Sequence, residues 1–327
     1  VPERADGWVW DRYWHYDRIA SCFDEGRANY SEPVAAPWKA FFAKCQDGAA
    51  ILDLCTGNGA LALIAAETAA EDGRRFAITG IDKAAIDPAA YVSRHADALR
   101  TIDFRSGVAA ESLPFGDESF DAVVSQYGAE YAPRGETLAE AVRVLRPGGR
   151  IALVMHAADG TVAARAKAAM DDADFLLDDA RLPAAALACF RAVAKAEQGE
   201  SLVEAEERRA RSALTAFETA LKRTGERLET ASDPEMLKNS ARVLIDAHTK
   251  RQLAPLSALE EKAEEVRLEI AAHRGRLQAL LNAAVSPEDC ADMARDLSAL
   301  GCEDASWENA MNGDALIGYR LKARRAA

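Results

Sequence analysis

The stretch Ala50-Ile51-Leu52-Asp53-Leu54-Cys55-Thr56-Gly57-Asn58-Gly59-Ala60 decides the fold. Its first five residues are apolar apart from one acid, and the run is too short for a helix. It therefore reads as a buried strand, Ala50–Leu54, that carries Asp53 to its end. Gly57 and Gly59 follow in a tight turn, where a side chain would hold a ligand off the backbone. The apolar run Gly59–Ala69 then reads as a helix whose first N–H groups point back at the turn. Strand, glycine turn and helix in that order make a nucleotide-type site, and Gly57-Asn58-Gly59-Ala60-Leu61-Ala62 also fits the dinucleotide form G-x-G-x-x-A.

Working outward, further short apolar runs alternate with helical segments. Phe76–Ile81, Ile102–Arg105, Phe120–Ser125 and Arg150–His156 read as strands and Glu136–Leu145 as a helix. That alternation predicts a parallel sheet covered on both faces. Arg146-Pro147-Gly148-Gly149 stops the preceding helix, because Pro147 cannot continue it and the glycines accept positive φ. Gly80-Ile81-Asp82-Lys83 ends the second strand with an acid, Asp82, that can accept two hydrogen bonds from a ribose diol.

From about Asp159 to Val285 the chain turns Ala-, Glu- and Arg-rich, with three Phe and no Trp or Tyr. It reads as helical throughout. Leu256, Leu259, Ala263, Val266, Ile270, His273, Leu277, Leu280 and Ala284 form a seam at three- and four-residue spacing, and Ala210, Leu214, Phe217, Leu221 and Leu228 form a second stripe. Such helices need a partner: each other, the sheet or a second subunit. His273 reads as a register or edge residue, since no second His or Cys stands at metal spacing. Helix starts are expected at Leu182-Pro183, Asp233-Pro234 and Ala254-Pro255. Ser286-Pro287-Glu288-Asp289 is a capped helix start, and the last segments, Ala305–Ala310 and Ala315–Leu321, flank Asn312-Gly313 as a hairpin.

Composition narrows the function classes. The 327 residues are 49% hydrophobic and 28% charged, with a formal net charge of −13. That field repels phosphate backbones, so nucleic acid is not expected as a partner, and no apolar run is long enough to predict a membrane span. Arg208-Arg209-Arg211, the densest basic cluster, is interleaved with Glu204, Glu206 and Glu207 as on a solvated helix face. Six scattered cysteines without a C-x-x-C pair, and no signal-peptide pattern, fit reduced thiols and a cytoplasmic location. Ten of the twenty-two aromatic residues precede residue 43; they either pack an N-terminal helix onto the core or line a substrate pocket.

Taken together, Asp53-Leu54-Cys55-Thr56-Gly57-Asn58-Gly59, Ile81-Asp82, Glu111-Ser112-Leu113-Pro114-Phe115, Ser119-Phe120-Asp121-Ala122-Val123-Val124-Ser125 and Val144-Leu145-Arg146-Pro147-Gly148-Gly149 resemble the class I S-adenosylmethionine-dependent methyltransferases. The resemblance is to the small-molecule branch that includes the ubiquinone and menaquinone biosynthesis enzymes, and it covers about Tyr13–His156 and Ser286–Arg320. It implies an α/β, Rossmann-like seven-stranded sheet whose last strand is antiparallel, with a large all-helical insertion after the fifth strand. The expected organisation is an aromatic-rich helical cap (1–44), a cofactor-binding domain (45–158 and 286–327) and the insertion (159–285), which serves as a lid or a homodimer arm.

The resemblance also implies roles. Asp53 and the backbone of Cys55, Gly57 and Gly59 would hold the methionine part of S-adenosylmethionine. Asp82 would take the ribose hydroxyls, and Lys83 or Ile81 would lie along the adenine. The backbone at Ala109 and Ala110 would meet the ring, while Ser125 and Gln126 would face cofactor and substrate. Cys55 departs from the family's glycine, and Ala109 from its acidic or amide side chain. For the chemistry, Glu130 and His156 are the favoured bases, ahead of His15, Tyr127 and Tyr131. Tyr16, Tyr30, Tyr127 and Tyr131, with Arg27, are the substrate-side candidates. The partner expected is a small aromatic or apolar methyl acceptor. A cofactor-binding scaffold with a degenerate site is the alternative; a nicotinamide oxidoreductase is disfavoured by the Leu-Pro-Phe and Arg-Pro-Gly-Gly motifs.

Overall fold

The computed structural model describes residues 8–21, 29–197 and 204–327. In chain order the elements are α1 (Trp8–Trp14), α2 (Glu32–Phe42), β1 (Ala50–Leu54), α3 (Ala60–Glu71), β2 (Ala77–Asp82), α4 (Pro88–Tyr91), α5 (Ala96–Leu99), β3 (Asp103–Ser106), β4 (Phe120–Gln126), α6 (Arg134–Val144) and β5 (Leu145–Met155). They continue with α7 (Thr161–Asp174), α8 (Leu182–Glu197), α9 (Glu204–Arg227), α10 (Pro234–Thr249), α11 (Leu256–Ala283), α12 (Pro287–Ala299), β6 (Cys302–Asn312) and β7 (Ala315–Arg325).

The seven strands form one sheet in the order β3-β2-β1-β4-β5-β7-β6. β1, β2, β3, β4 and β5 pair in parallel, and β7 runs antiparallel to both β5 and β6. Parallel strands joined by helices must be covered on both faces, and two cores do so. One gathers Trp38, Phe42, Ile51, Leu63 and Val124 under α2 and α3. The other gathers Leu52, Leu54, Val123, Leu138, Leu153 and Leu297 under α6 and α12. Ile51 and Leu52, adjacent in sequence, enter opposite cores, as the alternation of side chains along a strand demands.

Contacts divide the chain into two compact units. One comprises the described residues through Ala164 together with Ala279–Ala327; the other is Arg165–Gln278. The helical unit has its own core of Leu176, Leu182, Phe190, Phe217, Leu237, Leu244, Leu259, Val266 and Ile270. The helices thus pack on one another, drawing on both apolar stripes. Its polar node is Asp172, fully buried, which accepts from Arg227 Nε at 2.8 Å and from the backbone N–H of Ser232 and Asp233 at 2.7 and 2.9 Å. His273 Nε2 lies 3.1 Å from Asp233 Oδ2, on the edge of the seam. Among the described residues no helix is long and apolar enough to cross a membrane.

Two local expectations shift and a third holds. The helix expected to reach Leu145 ends at Val144, and β5 begins at once, carrying Arg146–Gly149 as an irregularity opposite β4, with Gly148 at φ +78°. The hairpin loop is Gly313-Asp314, because Asn312 pairs with Ala315. Gly313, at φ +61°, takes the first loop position, where a two-residue turn needs positive φ. Ser286 does cap α12, in a reciprocal pair with Asp289.

Candidate active site

β1 and β2 end side by side, and Asp53, next to last in β1, and Asp82, last in β2, supply two buried carboxyls. Asp53 accepts a hydrogen bond from Thr56 Oγ1 at 2.6 Å. Burial pushes it up to about 7, against the pull of that hydroxyl and with the nearby Asp82 adding to the rise. Asp82 accepts from Ala84 N and Gly57 N, both at 2.8 Å. Its burial outweighs those two bonds, so it too is raised, to about 6.

The glycine turn is shaped by close neighbours. Gly57 (φ +54°) lies under the Trp14 indole, so a Cβ there would collide with the ring. Cys55 sits at φ +54°, a conformation that favours glycine. Its Cβ is accommodated because residue 128 is glycine: a Cβ on Gly128 would collide with it. The departure from glycine at 55 is thus matched across the site. Burial and the surrounding carboxylates drive the Cys55 thiol well up, away from thiolate character.

A cavity of about 600 Å³ opens here, lined by Cys55, Asp82, Lys83, Ala110, Glu111, Tyr127, Gly128 and Tyr131. The segment around α1 forms its other wall with Trp10, Asp11 and Trp14. That segment is held by three polar ties: Ala85 N donates to Asp11 Oδ1 at 2.8 Å, and Asn58 Nδ2 donates to the carbonyls of Trp14 and Arg18 at 3.0 and 2.8 Å. The aromatic N-terminal region therefore divides its work. Trp38 and Phe42 are core residues, while Trp10 and Trp14 face the cleft.

Behind the wall lies a buried acid–base pair. Glu130 Oε1 is 2.7 Å from His156 Nδ1 and accepts the His156 backbone N–H at 2.9 Å. The two side chains are 0% and 2% exposed, and Glu130 Oε2 has no hydrogen-bond partner among the described residues. Tyr127 stacks on the imidazole at 4.2 Å, and Tyr131 meets it edge-on at 6.2 Å and Trp10 at 5.3 Å. His156 stands where the chain leaves the sheet, and its carbonyl accepts from Val285 N at 2.8 Å, where the chain returns.

The structure brings Cys55, Asp82, Lys83, Ala110, Tyr127 and Tyr131 to the cleft; Asp53, Gly57 and Gly59 are buried beside it and are not among its lining. Other expected contacts are not among its lining. The Ser125 hydroxyl is used internally, donating to Leu54 O at 2.9 Å and accepting from Ala129 N at 3.1 Å. Gln126 turns to Trp38, whose Nε1 donates to its Oε1 at 2.5 Å. Ala109 O caps a turn with Ser112 N, Ile81 is core, and Tyr30 packs against the α2–α3 core. Tyr16 is 42% exposed beneath Arg18, and His15 is exposed beside Tyr91. Arg27 lies outside the described residues. Asn58 and Asp11, the residues that hold α1 in place, escaped the sequence reading, whose one hint was an Asn between two turn glycines.

The seven strands, the antiparallel β7 and the glycine turn between β1 and α3 make the Rossmann-like α/β sheet that the sequence resemblance implied. Residues 51–149 match the family described as methyltransferase domain. The chain resembles the quinone methyltransferases. It is 33% identical over 148 residues to a 2-phytyl-1,4-naphtoquinone methyltransferase of Synechococcus elongatus, covering 43% of this chain and 62% of that protein. To the ubiquinone/menaquinone biosynthesis C-methyltransferase UbiE of Geotalea daltonii it is 31% identical over 152 residues, 42% of this chain and 60% of that one. The chain thus spans less than two thirds of the length of these relatives. Among solved structures, the YcgJ protein of Bacillus subtilis matches at 26% identity with a TM-score of 0.33, over 43% of this chain and 58% of that one.

Proposed function

We propose that this protein transfers a methyl group from S-adenosylmethionine to a small aromatic or apolar acceptor. The observation that carries the reading is the cleft itself, where the strand-end carboxyl of Asp82, held by the Gly57 N–H of the glycine turn, faces a wall of Trp10, Tyr127 and Tyr131. The residues fit a cationic nucleoside. Asp11, Asp82 and Glu111 line the cavity with Lys83 as the one basic lining residue among the described residues. Asp82 would take the ribose hydroxyls with the lone pairs that Gly57 N and Ala84 N leave. Asp53, Cys55 and the turn would hold the methionine end, and the backbone at Ala110 would border the adenine. S-adenosylmethionine supplies an electrophilic methyl group on a sulfonium sulfur.

The chain's own contribution is alignment and proton handling. Rigid placement of a nucleophile in line with the methyl group can account for much of the rate. The aromatic wall orients a flat acceptor and excludes water. Glu130 holds the His156 imidazole by its Nδ1 at 2.7 Å, which would orient the ring as the general base for the acceptor's proton. Tyr127 and Tyr131, which line the cleft, both contact the His156 ring and so stand between it and the cavity. The two backbone hydrogen bonds that tie Val285 to His156 and Ala158 support reading the intervening helices as an insertion whose ends meet beside the base. A homodimer formed through those helices would show in solution mass.

Purified protein supplied with S-adenosylmethionine and a set of quinone-like and phenolic acceptors should release the demethylated cofactor with some of them. Folded, cofactor-binding protein that turns over none of them would sink the acceptor class.

A further inference from the structure

A second crevice lies between the end of α2 and the antiparallel strand β7, on the sheet face opposite α6 and α12. Register explains its chemistry. Ala152 and Val154 of β5 point into the α2 core, so Lys322 and Arg320, their partners on β7, point to the same side. Arg150, two residues before Ala152, extends the row, and Lys44 just beyond α2 faces it. The cavity holds about 150 Å³, the room of about five water molecules. Lys44, Arg150, Arg320 and Lys322 line it together with Trp38 and Phe41, and no acidic residue does.

The cations are incompletely neutralised. Arg320 and Lys322 share one carboxylate, Glu308, at 3.3 and 2.8 Å. Arg150 has a weak acceptor, the Cys45 thiol at 3.2 Å, and stacks 4.6 Å from the Phe41 centroid. Lys44 has no ion pair among the described residues. Beside the Trp38 wall, the Nε2 of Gln126 is a buried donor without an acceptor. Four cations against one carboxylate, in a chain of net charge −13, is not a solvated average surface. Guanidinium groups braced on aromatic faces are the arrangement that grips carboxylate or phosphate oxygens.

We propose that this crevice is an oxyanion-binding site, separate from the cleft, which takes the carboxylate or phosphate group of a small molecule against Trp38 and Phe41. Calorimetric titration of the full chain with inorganic phosphate and, separately, with benzoate tests it, in wild type and in the Lys44→Ala/Lys322→Ala double variant. Both substituted side chains have solvent-accessible positions, so the fold should persist, and circular dichroism checks this. Saturable binding of either probe, weakened about tenfold or more in the double variant, is the expected result. Phosphate alone would identify a phosphate site, benzoate alone a carboxylate site with an aromatic body. No saturable binding of either at millimolar concentration, or binding unchanged in the double variant, overturns the proposal.

Discussion

The two cavities of the sheet unit carry opposite charge. In the cleft beyond β1 and β2 the acids Asp11, Asp82 and Glu111 outnumber Lys83, whereas the crevice between α2 and β7 is lined by four cations and no acid. Their origins differ as well. The cleft's charge comes from Asp82 at a strand end, Glu111 in the turns beyond β3 and Asp11 on α1. The crevice takes Arg320 and Lys322 from alternate residues along an antiparallel strand, brought to one face by pairing with β5, and adds Arg150 from β5 and Lys44 from beyond α2. The formal net charge of −13 conceals both. A mean charge excludes partners for the whole surface, and says nothing of a pocket whose charge is set by strand register.

Several changes would break or sharpen this contrast. The largest effect is expected from Gly57→Val. A β-branched residue at φ +54° beneath Trp14 combines backbone strain with a steric clash, costing about 3 kcal/mol of stability. Cofactor affinity should vanish with it, read by a lowered melting temperature and a flat titration. Next comes Glu130→Gln, which keeps an acceptor for His156 but removes the buried charge. Turnover should fall by about 10²- to 10⁴-fold with cofactor affinity unchanged. A proportionate loss of both would reassign the pair to a structural role.

pH separates the cavities next. Asp53 and Asp82 are raised to about 7 and about 6 by burial, so the folded, ligand-free protein holds protons that an unfolded chain has already lost. Its stability should therefore be fullest below about pH 4 with respect to these groups and fall as pH rises to about 7. A cationic ligand favours the ionised carboxylates, so cofactor affinity should rise over the same range and binding should release protons. Calorimetry in buffers of differing ionisation enthalpy measures that release. The smallest effect belongs to the crevice: Lys322→Ala, which loses one half-exposed ion pair with Glu308, should change stability by less than about 1 kcal/mol.

Much of the fold was legible. β1, the glycine turn and the Ser286 cap were readable because each depends on residues close in sequence, and the motif order gave the sheet. Of the strand-end acids, Asp82 does line the cleft, and Glu130 and His156 lie 2.7 Å apart although 26 residues separate them, outside that lining. What escaped depends on contacts between distant segments. Trp14 over Gly57, Asn58 holding α1, and the close approach of Gly128 to the Cys55 Cβ are visible only once the chain has folded. Ser125 and Gln126 were assigned by their place at the end of a strand, but local hydrogen bonds take both side chains elsewhere. The cationic crevice was illegible for the same reason: Lys44, Arg150, Arg320 and Lys322 read in sequence as ordinary surface charges.

The central claim is that the acidic cleft is the cofactor site, with Asp82 as its anchor. Calorimetric titration of S-adenosylmethionine into wild type and Asp82→Asn tests it most directly. One-to-one binding that weakens about tenfold or more in the variant, with its folding intact, is the result expected from losing a charged hydrogen-bond acceptor. A folded wild type that does not bind S-adenosylmethionine, or a variant that binds it equally well, would contradict the account.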